Sequence, residues 1–160
     1  MIYRQLLNEA FDQLPTALRT FHSAPGGGHA IGTASVSHQS SLLARLVGFP
    51  KVVSDEDARL DVIAGEHEEV WIRTFGTARR RSVQRARAGF LIEDLGPLRI
   101  EFRVIPISGG MRFQSLRARL LGIPVPFRVE ASAEGDEHSW KFEVIIPHVG
   151  SYRGVMELAK

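Results

Sequence analysis

The chain has 160 residues, 44% of them hydrophobic and 24% charged, with a formal net charge of +2 and no cysteine. That length suits a single domain with a full core, and the composition is globular rather than disordered. The small net charge gives no strong attraction to nucleic acid or anionic membrane, and the missing thiols exclude disulfides, thiolate metal sites and cysteine nucleophiles.

The opening segment, Met1 to Leu14, carries Glu9 and Asp12, which interrupt the apolar run that a signal peptide needs. No stretch approaches the roughly 20 apolar residues of a membrane-spanning helix, so a cytoplasmic location is expected. Leu6, Leu7, Ala10, Phe11 and Leu14 recur at helical spacing. Pro15 should break that helix, and a second short one should carry Ala17, Leu18 and Phe21. Residues 1–23 therefore read as a helical pair packed on an apolar surface. Ala24 to Gly28 is a flexible connector.

From His29 the period changes to two. Residues 29–160 read as one antiparallel β unit. His29 to Ser37 is the first strand, with Ala30, Gly32, Ala34 and Val36 on one face. A short helix from Ser40 to Val47 follows, capped by Ser40, ended by Gly48 and apolar through Leu42, Leu43, Leu46 and Val47. From about Arg59 onward only strands and turns are expected. Leu98, Ile100, Phe102 and Val104 alternate with polar neighbours. Phe127 to Ala133, Trp140 to Ile146 and Tyr152 to Leu158 show the same period, with Ile145 and Val155 among the intervening positions. Such alternation marks antiparallel strands with one wet and one buried face. About nine or ten strands at roughly 8–12-residue spacing point to an all-β fold. Short connections make it an up-and-down meander, and closing the meander removes its edges. The expected architecture is a barrel-like, lipocalin-like domain with short N-terminal helices.

The densest charge feature is Arg79, Arg80, Arg81, Arg85 and Arg87. Either these arginines coat a solvated hairpin, or Arg79 and Arg81 form an anion site suited to phosphate oxygens. No aromatics interleave them as a nucleic-acid groove would require. The six histidines form no paired metal motif, and no metal or cofactor is expected. His22 reads as a helix C-terminal residue favoured by the dipole. Gly26-Gly27-Gly28 lacks the ending of a phosphate loop, and Glu68 with Glu69, like Asp55 with Asp57, reads as a pair of loop acids.

Arg73 shares a strand face with Trp71 and Phe75. Two placements are open. In one, Arg73 points outward and covers those rings with its stem. Pointing inward, it needs an acid, for which Glu93 and Glu130 are the candidates. The inward placement makes Trp71, Arg73, Phe75, Glu93, Glu130 and Tyr152 the lining of a ligand pocket.

The segments Tyr3-Arg4-Gln5-Leu6-Leu7, Phe11 to Pro15, Phe21-His22 and Gly28-His29-Ala30-Ile31-Gly32 resemble the bacterial family catalogued as domain of unknown function 4166. The resemblance continues through Trp71-Ile72-Arg73-Thr74-Phe75-Gly76, Gly96-Pro97-Leu98, Arg119 to Pro124 and Tyr152-Arg153-Gly154, and so spans nearly the whole chain. Before the last of these the family carries a longer apolar stretch, which Pro147 to Ser151 replaces here. The family carries no established activity. Some members are appended to saccharopine-dehydrogenase-like NAD-binding proteins, which implies an oxidoreductase partner.

Three functions follow as expectations. The barrel binds a small apolar or amphipathic molecule, with the helix after the first strand as a lid. Alternatively, the face of Leu42, Leu43, Leu46 and Phe49 docks an oxidoreductase. Third, Arg73, Glu93, His22 and Tyr152 serve an unidentified reaction. No catalytic residue is fixed by spacing.

Overall fold

A computed structural model describes residues 1–46, 49 and 51–159 of the chain. The N-terminal helices are α1 (Ile2–Leu7), a 3-10 helix (Asn8–Gln13) and α2 (Thr16–Ser23). Then come β1 (His29–His38), α3 (Ser41–Leu46), β2 (Val53–Ala64), β3 (Glu69–Phe75), β4 (Ala78–Arg87), β5 (Phe90–Leu95) and β6 (Leu98–Ile107). The last strands are β7 (Gly110–Leu120), β8 (Ile123–Val125), β9 (Glu130–Gly135), β10 (Ser139–Ile146) and β11 (Gly150–Leu158).

Every strand pairing is antiparallel. Each strand pairs with the next as far as β7, β7 passes to β9, and β11 returns to β1. The result is a closed barrel of ten strands, two more than the eight of lipocalin barrels. β8 is an eleventh strand outside the ring. It folds back on the second half of β7, pairing Ala118 with Val125, while the first half of β7 pairs with β9. A bulge divides the two halves. Glu101 faces Arg117 and Phe102 faces Ser115, so Leu116 is the extra residue. It switches the buried positions of β7 from Met111 and Phe113 to Ala118 and Leu120.

The alternation sets the walls. Leu98, Ile100, Phe102 and Val104 are all buried, and Arg99 and Arg103 between them are exposed. The segment from Phe127 departs from expectation, because only Glu130–Gly135 forms a strand. Pro126 has no amide to donate to a ladder. The Val129 amide instead donates to Ser115 Oγ at 2.7 Å, and Val129 is buried without being in a strand. At the closing seam, Ala34 pairs with Gly154. A Cβ on Gly154 would lie 2.2 Å from the Thr33 carbonyl oxygen and 2.8 Å from the Phe142 ring, so only glycine lets the first and last strands approach this closely.

The helices stop one end of this barrel. The expected first helix is cut short after Leu7, where Asn8 has φ 51°, and continues as the 3-10 turn. The Ala17 amide donates to the Asp136 carbonyl in the β9–β10 turn. Tyr3 Oη donates to Gln84 Oε1 on β4 at 2.8 Å. Phe21 packs edge-on to Trp71 of β3 and tilted against Trp140 of β10. Rings that touch β3, β4, β7 and β10 at once lie across the bore, so the helices fill the barrel end rather than lying on its outside. Glu69, expected as a loop acid, is buried at the start of β3. It accepts from the Ile2 amide and from Trp71 Nε1, because a carboxylate under the plug needs donors.

At the opposite end α3 follows β1. Phe49, expected on an exposed docking face, is instead buried against His38 and Tyr152. Leu42 is 76% exposed. The side chains of Leu43 and Leu46, together with residues 47 and 48, lie outside the described part of the chain. Among the described residues, no helix is long and apolar enough to cross a membrane.

Candidate functional site

Between the plug and the far end, the barrel holds a partly open cavity of about 520 Å³. Its floor is aromatic, built from Tyr3, Phe21, His22, Trp71 and Trp140. Its walls are the buried positions of the strands, such as Ile100, Met111 and Met156. Its far end is bordered by Phe49, Arg45, Arg80 and the Gly96-Pro97 turn.

The polar groups inside come from three neighbouring strands. On β3 the buried-face positions are Glu69, Trp71, Arg73 and Phe75. On β4 they are Arg80, Ser82, Gln84 and Ala86, and on β5 they are Leu91, Glu93 and Leu95. This register decides the placement of Arg73 in favour of the interior. Its Nη2 donates to Glu93 Oε1 at 2.9 Å and its Nη1 to Ser82 Oγ at 2.7 Å. Ser82 Oγ donates onward to Glu93 Oε1 at 2.6 Å. The guanidinium lies 5.0 Å from the Trp71 ring centre, within cation–π range. Side-chain exposures of 17% for Arg73 and 10% for Glu93 show that the pair is largely removed from bulk water.

Burial alone would loosen the Arg73 proton, but the Glu93 carboxylate outweighs it and holds the guanidinium more firmly charged than usual. Burial raises the Tyr152 phenol, and burial with Glu69 and Glu93 raises that of Tyr3 further. Both phenols are therefore neutral hydrogen-bond donors. Ser82 is held between an acid and a cation, so its oxygen is occupied in the ion pair.

His22 stands against the expectation of a dipole-stabilised cation. Its ring lies 4.0 Å from that of Tyr3 and 5.7 Å from that of Trp71, and it lines the cavity. Desolvation lowers its pKa to about 3, so the imidazole is neutral. The unfolded chain, with a pKa near 6.5, then binds the proton that the folded chain refuses. Stability is accordingly full above about pH 6.5 and falls as the pH drops toward 3. The expected loss from this residue is about 2 kcal/mol between pH 6.5 and 5. Urea denaturation at both values, in the native chain and in His22→Phe, checks it. The phenylalanine variant should lose that part of the slope, and identical slopes would refute the burial of the imidazole.

Of the expected pocket residues, Trp71, Arg73, Phe75, Glu93 and Tyr152 come together around the cavity. Glu130 does not, because it is exposed at the start of β9. Arg79 and Arg81 are exposed on β4, where adjacent residues face opposite ways, and Arg80 between them is the one turned inward. Arg81, although exposed, also contributes to the cavity lining. Sequence reasoning missed Tyr3, Gln84 and Arg80. A periodicity test on β4 could have found the last two, since Arg80, Ser82, Gln84 and Ala86 occupy one face. Among the described residues, no group of three or more histidines or acids is arranged to hold a metal ion.

A family model described as domain of unknown function (DUF4166) matches residues 14–156. No curated protein and no solved structure matches the chain.

Proposed function

The chain belongs to the DUF4166 family, and since that description assigns no activity we propose, from the cavity itself, that the domain binds a small apolar or amphipathic molecule inside its barrel. The observation that carries this is a partly open cavity of about 520 Å³ inside the barrel, with a mainly apolar lining and a few convergent polar groups. Sites for small molecules have this form, with volumes of about 300–1,000 Å³. A barrel serving only as a scaffold would fill its bore with side chains. Arg73, Glu93, Tyr152 and Gln84 stand on rigid strands and would orient the ligand's polar atoms.

Trp71 and Trp140 are the chain's two tryptophans, and both line the cavity. A neutral apolar fluorophore, 1-aminoanthracene, should therefore bind saturably with energy transfer from tryptophan. Native mass spectrometry of protein purified gently from its source should also show a co-purifying species of a few hundred daltons. Absence of saturable binding together with a clean apo mass would overturn the reading and leave a domain without a resident ligand.

A further inference from the structure

Arg80 is a cation on the interior face with no acid partner among the described residues. It faces Arg73 directly across the β3–β4 pair, on the buried side of both strands. Like charges so placed repel. Arg73 is neutralised by Glu93, and Glu69 is engaged by Ile2 and Trp71 beneath the plug. Arg80 receives no such compensation. Its Nη2 reaches only the Phe49 carbonyl and its Nη1 only the Arg79 carbonyl, each at 3.4 Å, and its Nε is buried with no hydrogen-bond partner among the described residues. No carboxylate among the described residues forms an ion pair with it. Arg45, also unpaired with any acid there, borders the same end of the cavity.

We propose that the molecule held in the barrel is an anionic amphiphile whose oxyanion head binds Arg80 at the cavity's far end, with its apolar tail directed toward Trp71, Trp140 and Phe21. This rests on the reading that the barrel holds an amphipathic ligand. An oxyanion would supply the acceptors that Arg80 lacks and offset the surplus positive charge on the β3–β4 wall. The guanidinium fork suits a carboxylate and a phosphate alike, so the head group's source is decided by experiment. The tail would lie along the aromatic and aliphatic lining, past Arg73, whose charge Glu93 already neutralises.

Three probes with the same tail separate the outcomes: dodecanoate, dodecyl phosphate and dodecanol. Each is titrated below its aggregation concentration, with displacement of 1-aminoanthracene as readout. The native chain should bind at least one of the two anions about tenfold more tightly than the alcohol, a preference that weakens with salt. The stronger anion identifies the head group. Arg80→Gln should abolish that preference and leave dodecanol binding unchanged, and Arg80→Lys should retain part of it. Equal binding of all three probes by the native chain overturns the anion site while the ligand cavity stands, and this result needs no variant to fold. A preference that survives in Arg80→Gln also overturns it. Failure of all three probes and of 1-aminoanthracene overturns the cavity reading, and the anion site with it.

Discussion

Replacing Glu93 by alanine is expected to destabilise the fold by about 3 kcal/mol, at the lower end of what breaking a buried ion pair costs. The variant leaves the Arg73 guanidinium inside the barrel with Ser82 Oγ as its remaining hydrogen-bond acceptor and the Trp71 ring beside it. The attraction between Arg73 and Glu93 offsets the desolvation of both. Removing one member withdraws the attraction and keeps the desolvation of the other. The cavity alongside can admit water to the orphaned cation, which is why the lower end applies. The double variant Arg73→Met with Glu93→Leu should recover most of the loss, since matched apolar groups replace a buried pair at little net expense. Urea denaturation of the two variants and the native chain measures this. A Glu93→Ala loss below about 1 kcal/mol would show that bulk water already reaches the pair.

Phe21→Ala is the second large effect, an expected loss of about 3–5 kcal/mol. Phe21 is 2% exposed and joins Trp71 to Trp140 across the bore, so its removal leaves a hole that the rigid walls cannot close. Its ring also lies where a Cβ on Gly28 would fall, which shows how tightly the connector is packed upon it. Phe21→Leu should recover much of the stability by refilling part of the volume. Near-ultraviolet circular dichroism should lose tryptophan signal in the alanine variant, because both indoles lose a packed neighbour. A stability within about 1 kcal/mol of the native chain would place Phe21 outside the core.

The barrel was legible in the sequence where strands have one wet face. Leu98 to Val104 shows its alternation because water lies on one side of β6 and the core on the other. The same rule overreached at Phe127, where Val129 is buried outside any strand with its amide held by the Ser115 side chain. The plug was half legible. The spacing of Leu7, Phe11, Ala17, Leu18 and Phe21 marked an apolar face but held no information on what it would meet. Arg73 with Glu93 was one of two open pairings. Its resolution depended on the register of β3, β4 and β5, which the two-residue turns at 76–77 and 88–89 set and which the alternation within one strand does not contain. Arg80 was hidden by its neighbours, because in a run of three arginines composition is uniform and only the strand's phase distinguishes the inward one.

The seam between β1 and β11 has a consequence for how the chain acquires this shape. Ser37 and Ser151, bonded side chain to side chain at 3.0 Å, are separated by 114 positions. The Phe21–Trp140 contact similarly joins an early residue to a late one. During synthesis Tyr3, Phe21 and His22 emerge first and wait for Trp140 and the last wall. Until β11 arrives, β1 carries an open edge that any passing strand can pair with. Such long-range closure makes folding slow, on the order of milliseconds to seconds, and dependent on nearly the whole chain. Truncation from the C-terminal side should therefore yield an aggregation-prone intermediate rather than a smaller barrel.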